Sequence, residues 1–288
     1  MYYSPALAQS QVKSAKHKSN FTLNTTNDSA VAILSVSSEG QLLVGQVDGG
    51  QLHVYSADCC HVTSIKLPDN VYDAVWTRRG NIVYSEWRST KVVTMSQSGD
   101  VIQQTNVSMP SYLSVSTDGV IYLISDNYKI VYQSTDDGLT WSRMFNVTDG
   151  WECWQVIKVS TDSNTDVLWT VVESAKDCRL RVYTVDKRRA VGDNVTWRDV
   201  TLPSHVTVSL SESKLAYDGH TSIFVTDSVS NRAVHVWSVS GQYDRQLVSP
   251  QQLISKPCRV AVDTQRHVMY VGLEKGTVGV FELTYEPV

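Results

Sequence analysis

Six short strings share one pattern, and their spacing limits the fold of this chain more than any other feature. LHVYS, KVVTMS, KIVYQS, LRVYTV, VHVWSV and VGVFEL align Val54, Val93, Val131, Val182, Val236 and Val280. An aromatic follows in five of them, at Tyr55, Tyr132, Tyr183, Trp237 and Phe281. Successive valines lie 39, 38, 51, 54 and 44 residues apart, close to the length of a four-stranded propeller blade. The two long intervals hold polar insertions, STDSNTD at 160–166 and DKRRAVGDN at 186–194, which belong in loops. No window of ten residues carries the i, i+3, i+4, i+7 apolar pattern of a helix.

The remaining strands fall into place around this column. VAILSVS, DAVW, YLSVS, WQVIKVS, KLAYD and RVAVD read as innermost strands, and QLLVGQV, NIVYSE, VIYLIS, VLWTVV, SIFVTD and HVMYVG as second strands. The valine strings are third, and VTSIKL, VIQQTNV, WSRMFNV, VTWRDVTL and YDRQLVS are fourth. The sixth unit reaches Val288 without a fourth strand, while FTLN at 21–24 has nothing else to pair with. The expected fold class is therefore all-β: a six-bladed β-propeller, four strands per blade, with the N-terminal strand closing the last blade. Residues 1–20 are polar and non-periodic and read as a disordered arm or linker, leaving 21–288 as the propeller. Two unrelated β-sandwiches are the competing arrangement, which six aligned units outweigh.

Composition bounds the function. A net charge of −4 over 288 residues argues against general nucleic-acid affinity. No apolar run approaches 18 residues, so no membrane span is expected. Five scattered cysteines (Cys59, Cys60, Cys153, Cys178, Cys258) do not make a disulfide framework and fit a reducing compartment. With no apolar block in residues 1–20, a cytoplasmic location is expected. Sequons at Asn20, Asn24, Asn27, Asn106, Asn146 and Asn194 keep a secreted alternative open. Cys59-Cys60-His61 lacks the gap that lets two thiolates reach one ion, so no metal or other cofactor is expected. The seven histidines are scattered, and there is neither a G-x-S-x-G elbow nor a phosphate loop.

The last unit, KPCRVAVDTQRHVMYVGLEKGTVGVFEL, resembles an NHL repeat at Pro257, Val260, Ala261, Val262, Asp263, Tyr270, Val271, Val280 and Phe281. The fifth unit adds the D-x-x-x-N-R segment at Asp227, Asn231 and Arg232, and YLSVSTDGVIYLISDNYKIVYQS fits as well. The other units depart at the Pro and Asn-Arg positions. The chain thus resembles the C-terminal propeller of tripartite-motif (TRIM-NHL) type proteins. That resemblance implies a non-catalytic, monomeric domain that recognises a protein partner or, alternatively, single-stranded RNA. Ligase activity would need RING and B-box modules that these residues do not contain. Ser134 to Trp141 also fits the S-x-D-x-G-x-T-W box of sialidase-type propellers. A sialidase-like glycosidase is the rival that this box suggests, although the box itself is a hairpin device.

Loops between second and third strands, and those entering each blade, share one face of a propeller. Trp87, Arg88, Tyr112, Tyr128, Lys129, Trp151, Arg179 and Arg232 fall there and form the expected ligand-binding set. Aromatics give large contact area at small entropy cost, and arginine adds bidentate or stacking contacts. A protein-interaction face without catalysis is the function expected.

Overall fold

The computed structural model describes residues 10–23, 29–46, 50–125, 127–147, 150–161, 164–174, 177–189, 194–206, 208, 214–229 and 232–287. They form six four-stranded antiparallel sheets. Blade one is β2 to β5 (Val31–Val36, Leu42–Gln46, Gln51–Tyr55, His61–Lys66), and blade two is β6 to β9 (Val71–Trp76, Ile82–Glu86, Lys91–Met95, Val101–Asn106). Blade three is β10 to β13 (Leu113–Val115, Ile121–Ser125, Ile130–Ser134, Ser142–Asn146). Blade four is β14 to β17 (Glu152–Thr161, Thr165–Ser174, Asp177–Asp186, Val195–Asp199). Blade five is β18 to β21 (Leu215–Tyr217, Ser222–Asp227, Ala233–Ser238, Tyr243–Val248). Blade six takes β22 to β24 (Pro257–Asp263, Val268–Leu273, Thr277–Pro287) and, from the other end of the chain, β1 (Ser10–Thr22).

The valine-aromatic pattern follows from how blades stack. Neighbouring residues of a strand point to opposite faces, and each face of a blade meets a different neighbour. Val54, Val131, Val182, Val236 and Val280 enter the apolar cluster shared with the next blade. Tyr55, Tyr132, Tyr183, Trp237 and Phe281 enter or pack on the cluster shared with the preceding blade. Among the described residues there are thus six cores, one at each blade junction. Blade two corrects the alignment by one residue. There Val92 faces the next blade and Val93 the preceding one, and the ladder sets Thr94 opposite Val83 as it sets Val54 opposite Leu43, so Thr94 holds the column position. A one-residue slip exchanges the two faces, and the adjacent valines of KVVTMS conceal it. Second strands β3, β7, β11 and β19 are buried throughout because both their faces are covered.

The closing strand forms, but it is longer than the sequence suggested. β1 runs antiparallel to β24 from the Ser10–Pro287 pair to the Thr22–Thr277 pair. Residues 10–20 are therefore part of blade six rather than a disordered arm; residues 1–9 and Asn24 lie outside the described residues. The segment hides its strand character because an outermost strand buries little. Val12 is buried, whereas Lys13, Ser14, Lys16, His17 and Lys18 are exposed. The His17 ring still meets Phe281 edge-on, with centroids 5.3 Å apart. Lysines along such an edge also oppose pairing with another chain. Lys13 and Lys18 pair across the ladder with Glu286 and Glu282. The insertion at 160–166 differs as well: β14 and β15 extend into it as a long hairpin, with residues 162–163 outside the described set.

Candidate functional site

The inner strands build a ring of side chains around the propeller axis. Asp73, Tyr112, Gln155, Lys214 and Arg259 occupy the same position at or near the start of the inner strands in blades two to six. Most of them reach the next blade's inner strand. Asp73 accepts from the Leu113 N–H through Oδ2 at 3.0 Å and from the Ala74 N–H through Oδ1 at 2.9 Å. Gln155 grips Leu215 twice, donating to its carbonyl and accepting from its N–H. Arg259 Nε donates to the Ala32 carbonyl. Ser114 donates to the Val156 carbonyl, and Ser35 Oγ accepts from the Trp76 N–H. Each such bond satisfies inner-strand groups that have no further strand on the axis side.

Lys214 departs from this scheme. It is 2% exposed, and its buried Nζ has no hydrogen-bond partner. The Nζ stands 3.9 Å from the centre of the Tyr112 ring. Burial pushes its amine well below the usual lysine range, and repulsion from Arg259 adds to the effect. Burial also holds the Asp73 carboxyl above the usual carboxylate range, against the pull of Arg259, two backbone N–H groups and Lys214. Above the ring lies an aromatic wall. Tyr112 meets Tyr72 and Trp154 edge-on or tilted, Tyr72 stacks on Trp87 at 4.8 Å, and Tyr128 stacks on Trp154 at 4.4 Å.

Below the ring, the axis opens into a cavity of about 560 Å³. Leu34, Val75, Leu113, Ile157, Leu215 and Val260 give it apolar walls. Its mouth lies among the turns between first and second strands, where Ser37, Thr77, Ser116 and Thr264 contribute hydroxyls. His220 and His267 line this mouth from adjacent blades, and Tyr285 lies between them, with ring centroids 6.1 and 4.9 Å away. Asp218 Oδ1 accepts from the N–H groups of His220, Thr221 and Ser222, which fixes the turn that carries His220. Asp218 Oδ2, the Tyr285 hydroxyl and His267 Nδ1 are buried without hydrogen-bond partners. Burial raises the Asp218 carboxyl, and burial together with Asp218 raises the Tyr285 hydroxyl. Among the described residues, no three His, Cys, Asp or Glu side chains converge as metal ligands.

The structure brings part of the expected upper-face set together. Trp87, Tyr112 and Tyr128 belong to the aromatic wall, and the Arg88 guanidinium lies 5.8 Å from the Trp87 ring centre. Lys129 donates to the Trp151 carbonyl, and Arg179 lies 5.4 Å from the Trp151 ring centre while paired with Asp177 and Asp199. Arg232 is exposed at the entry to β20 in blade five, half a ring away from Trp87 in blade two; its neighbour Asn231 lies outside the described residues. Tyr112, in the segment just before β10, is buried as a member of the ring. The Ser134–Trp141 segment forms the β12–β13 turn, where Asp136 accepts from the Thr140 N–H and hydroxyl and Ser134 Oγ accepts from the Gly138 N–H. Gly138 sits at φ +85°, where a Cβ would also collide with Val83.

No family model matches the chain, and no curated protein matches it. Solved structures match its fold from end to end. A gluconolactonase from Xanthomonas campestris aligns at TM-score 0.68 and 12% identity, covering 99% of this chain and 99% of that one. Virginiamycin B lyase from Staphylococcus aureus aligns at TM-score 0.61 and 12% identity, covering 96% of this chain and 100% of that one. A streptogramin B lyase gives 0.60 and 12%, covering 98% and 100%. At this identity the likeness shows the six-bladed fold, and it does not single out TRIM-NHL propellers. These full-length matches are to proteins named for catalysis, which runs against the expectation of a non-catalytic interaction module.

Sequence reasoning missed Asp73, Gln155, Lys214, Arg259, His220 and His267 as a set. The signal was there for the ring, since these residues begin or nearly begin the inner-strand strings. His220 and His267 also shared a sign: each lies in the turn just before a second strand, in neighbouring blades.

Proposed function

We propose that this propeller is an enzyme acting on a small molecule held on its axis, with His220 and His267 as the proton-transfer groups at the cavity mouth. The observation that carries this reading is the pair of histidines lining one cavity, backed by buried polar atoms of Asp218, Tyr285 and His267 that lack partners. Leaving such groups unpaired costs free energy, so a set of them beside a cavity marks a place built for something other than packing. A volume of about 560 Å³ lies in the range that accommodates small organic ligands. Imidazole is suited to moving protons near neutral pH. The names of the fold neighbours, a gluconolactonase and two lyases, support chemistry of this kind. In this reading the NHL-like repeats describe the scaffold alone.

The test is turnover by the purified chain on glucono-1,5-lactone, a set of simple lactones and nitrophenyl esters, measured against the spontaneous rates. At least one substrate should turn over, and His267→Ala should reduce that rate about 100-fold while the fold is kept. Rates equal to the spontaneous ones throughout, or unchanged in both His220→Ala and His267→Ala, would falsify the reading.

A further inference from the structure

We infer that the inner end of the axial cavity receives the carboxylate of a small organic acid, with Lys214 as its main cation and Arg259 beside it. This inference rests on the axial-cavity reading and adds the chemical class of the ligand.

Three observations lead there. First, Lys214 is almost wholly buried, yet its Nζ lacks an acceptor, whereas Asp73, Gln155 and Arg259 at the equivalent positions all bond backbone groups of a neighbouring strand. Second, the nearby groups offer more basic sites than acidic ones. Lys214 and Arg259 stand against the single carboxyl of Asp73, and both of its oxygens already accept backbone N–H bonds. The other groups facing Lys214 are the Tyr112 ring and the thiols of Cys153 and Cys258, which carry no charge while protonated; burial pushes the Cys153 thiol up to about 12. Third, Leu215 and Val260, each one residue beyond a basic member of the ring, line the cavity, as do Leu113 and Gln155. The inner end of the cavity thus lies one residue from Lys214 and Arg259 along their strands, at the level of Gln155, the ring member that lines it. The lysine stem is long and flexible enough to bring its ammonium toward a carboxylate there.

Free of ligand, burial disfavours the charged form of the Lys214 amine. A bound carboxylate reverses that preference, so binding must take up a proton from solvent. Calorimetry on the full chain at pH 8 can read this directly, comparing gluconate, propionate and benzoate with their neutral amides in two buffers of different ionisation enthalpy. At least one carboxylate should bind about tenfold more tightly than its amide and take up about one proton. Lys214→Met should abolish both the preference and the uptake, and Lys214→Arg should keep the preference without the uptake. Equal affinity for every acid and its amide, or binding without proton uptake in the unaltered protein, overturns the inference even if Lys214→Met fails to fold. Failure of the acid–base reading would look different: turnover would be absent or indifferent to His267 while carboxylate binding stayed intact.

Discussion

The two ends of the axial channel are made from the same six strands and differ in what they do with polar groups. At the upper end, Asp73, Gln155 and Arg259 bond across blade junctions, with an aromatic wall over blades two to four. At the lower end, hydroxyls and two histidines surround an open mouth. One end uses polarity to hold blades together, and the other turns it toward an open cavity. A propeller can divide its axis in this way because positions early and late in each inner strand, though only a few residues apart, face different surroundings. Lys214 is the exception that links the ends, being a ring member without a structural bond.

The largest expected effect is at the upper end. Asp73→Ala removes the acceptor of two backbone N–H groups and the counter-charge of Arg259, and should cost about 3–5 kcal/mol in denaturant unfolding. A loss below about 1 kcal/mol would show that the ring does not hold the blades. At the lower end, His267→Ala should instead lower turnover about 100-fold with little change in melting temperature. Comparable losses of stability in the two variants would erase the distinction between the ends.

Lys214→Met should raise stability by about 1 kcal/mol, because a buried amine without an acceptor is replaced by an apolar chain of similar length. Its pH signature sharpens the point. The folded chain holds Lys214 neutral where the unfolded chain still binds the proton, so stability should rise with pH from the depressed folded-state value up to about 10.4. The Met variant should lack that rise. Asp73 acts with the opposite sign: its raised value keeps a proton on the folded chain, so stability should fall as pH climbs from about 3.9 through that value. Chemical denaturation across pH measures both. The smallest effect belongs to the edge of the wall, where Trp87→Ala should cost about 1 kcal/mol by losing its stack on Tyr72, since Trp87 is 42% exposed.

The architecture was legible because Val and its aromatic neighbour serve two different cores, a demand that recurs at every junction. Blade two escaped by one residue because adjacent valines satisfy either register. The closing strand was legible only at Phe21 and Leu23, since an outer strand does not need apolar residues along its length. The site was harder to read. A charged residue at the start of a strand looks like a solvated position until the other blades place Asp73, Lys214 and Arg259 around one axis. His220 and His267 are 47 residues apart, and only the ring closes that distance.

Closure by β1 has a mechanical consequence. Ser10 lies opposite Pro287 and Thr22 opposite Thr277, so both ends of the described chain leave blade six on the same side. Tension between those ends would load the backbone bonds of the β1–β24 ladder one after another, as in peeling a zip, instead of sharing the force among them. The joint that completes the ring against thermal fluctuation is thus its weakest point under pull. A tether at either end would open blade six first, long before the covalently continuous blades yield.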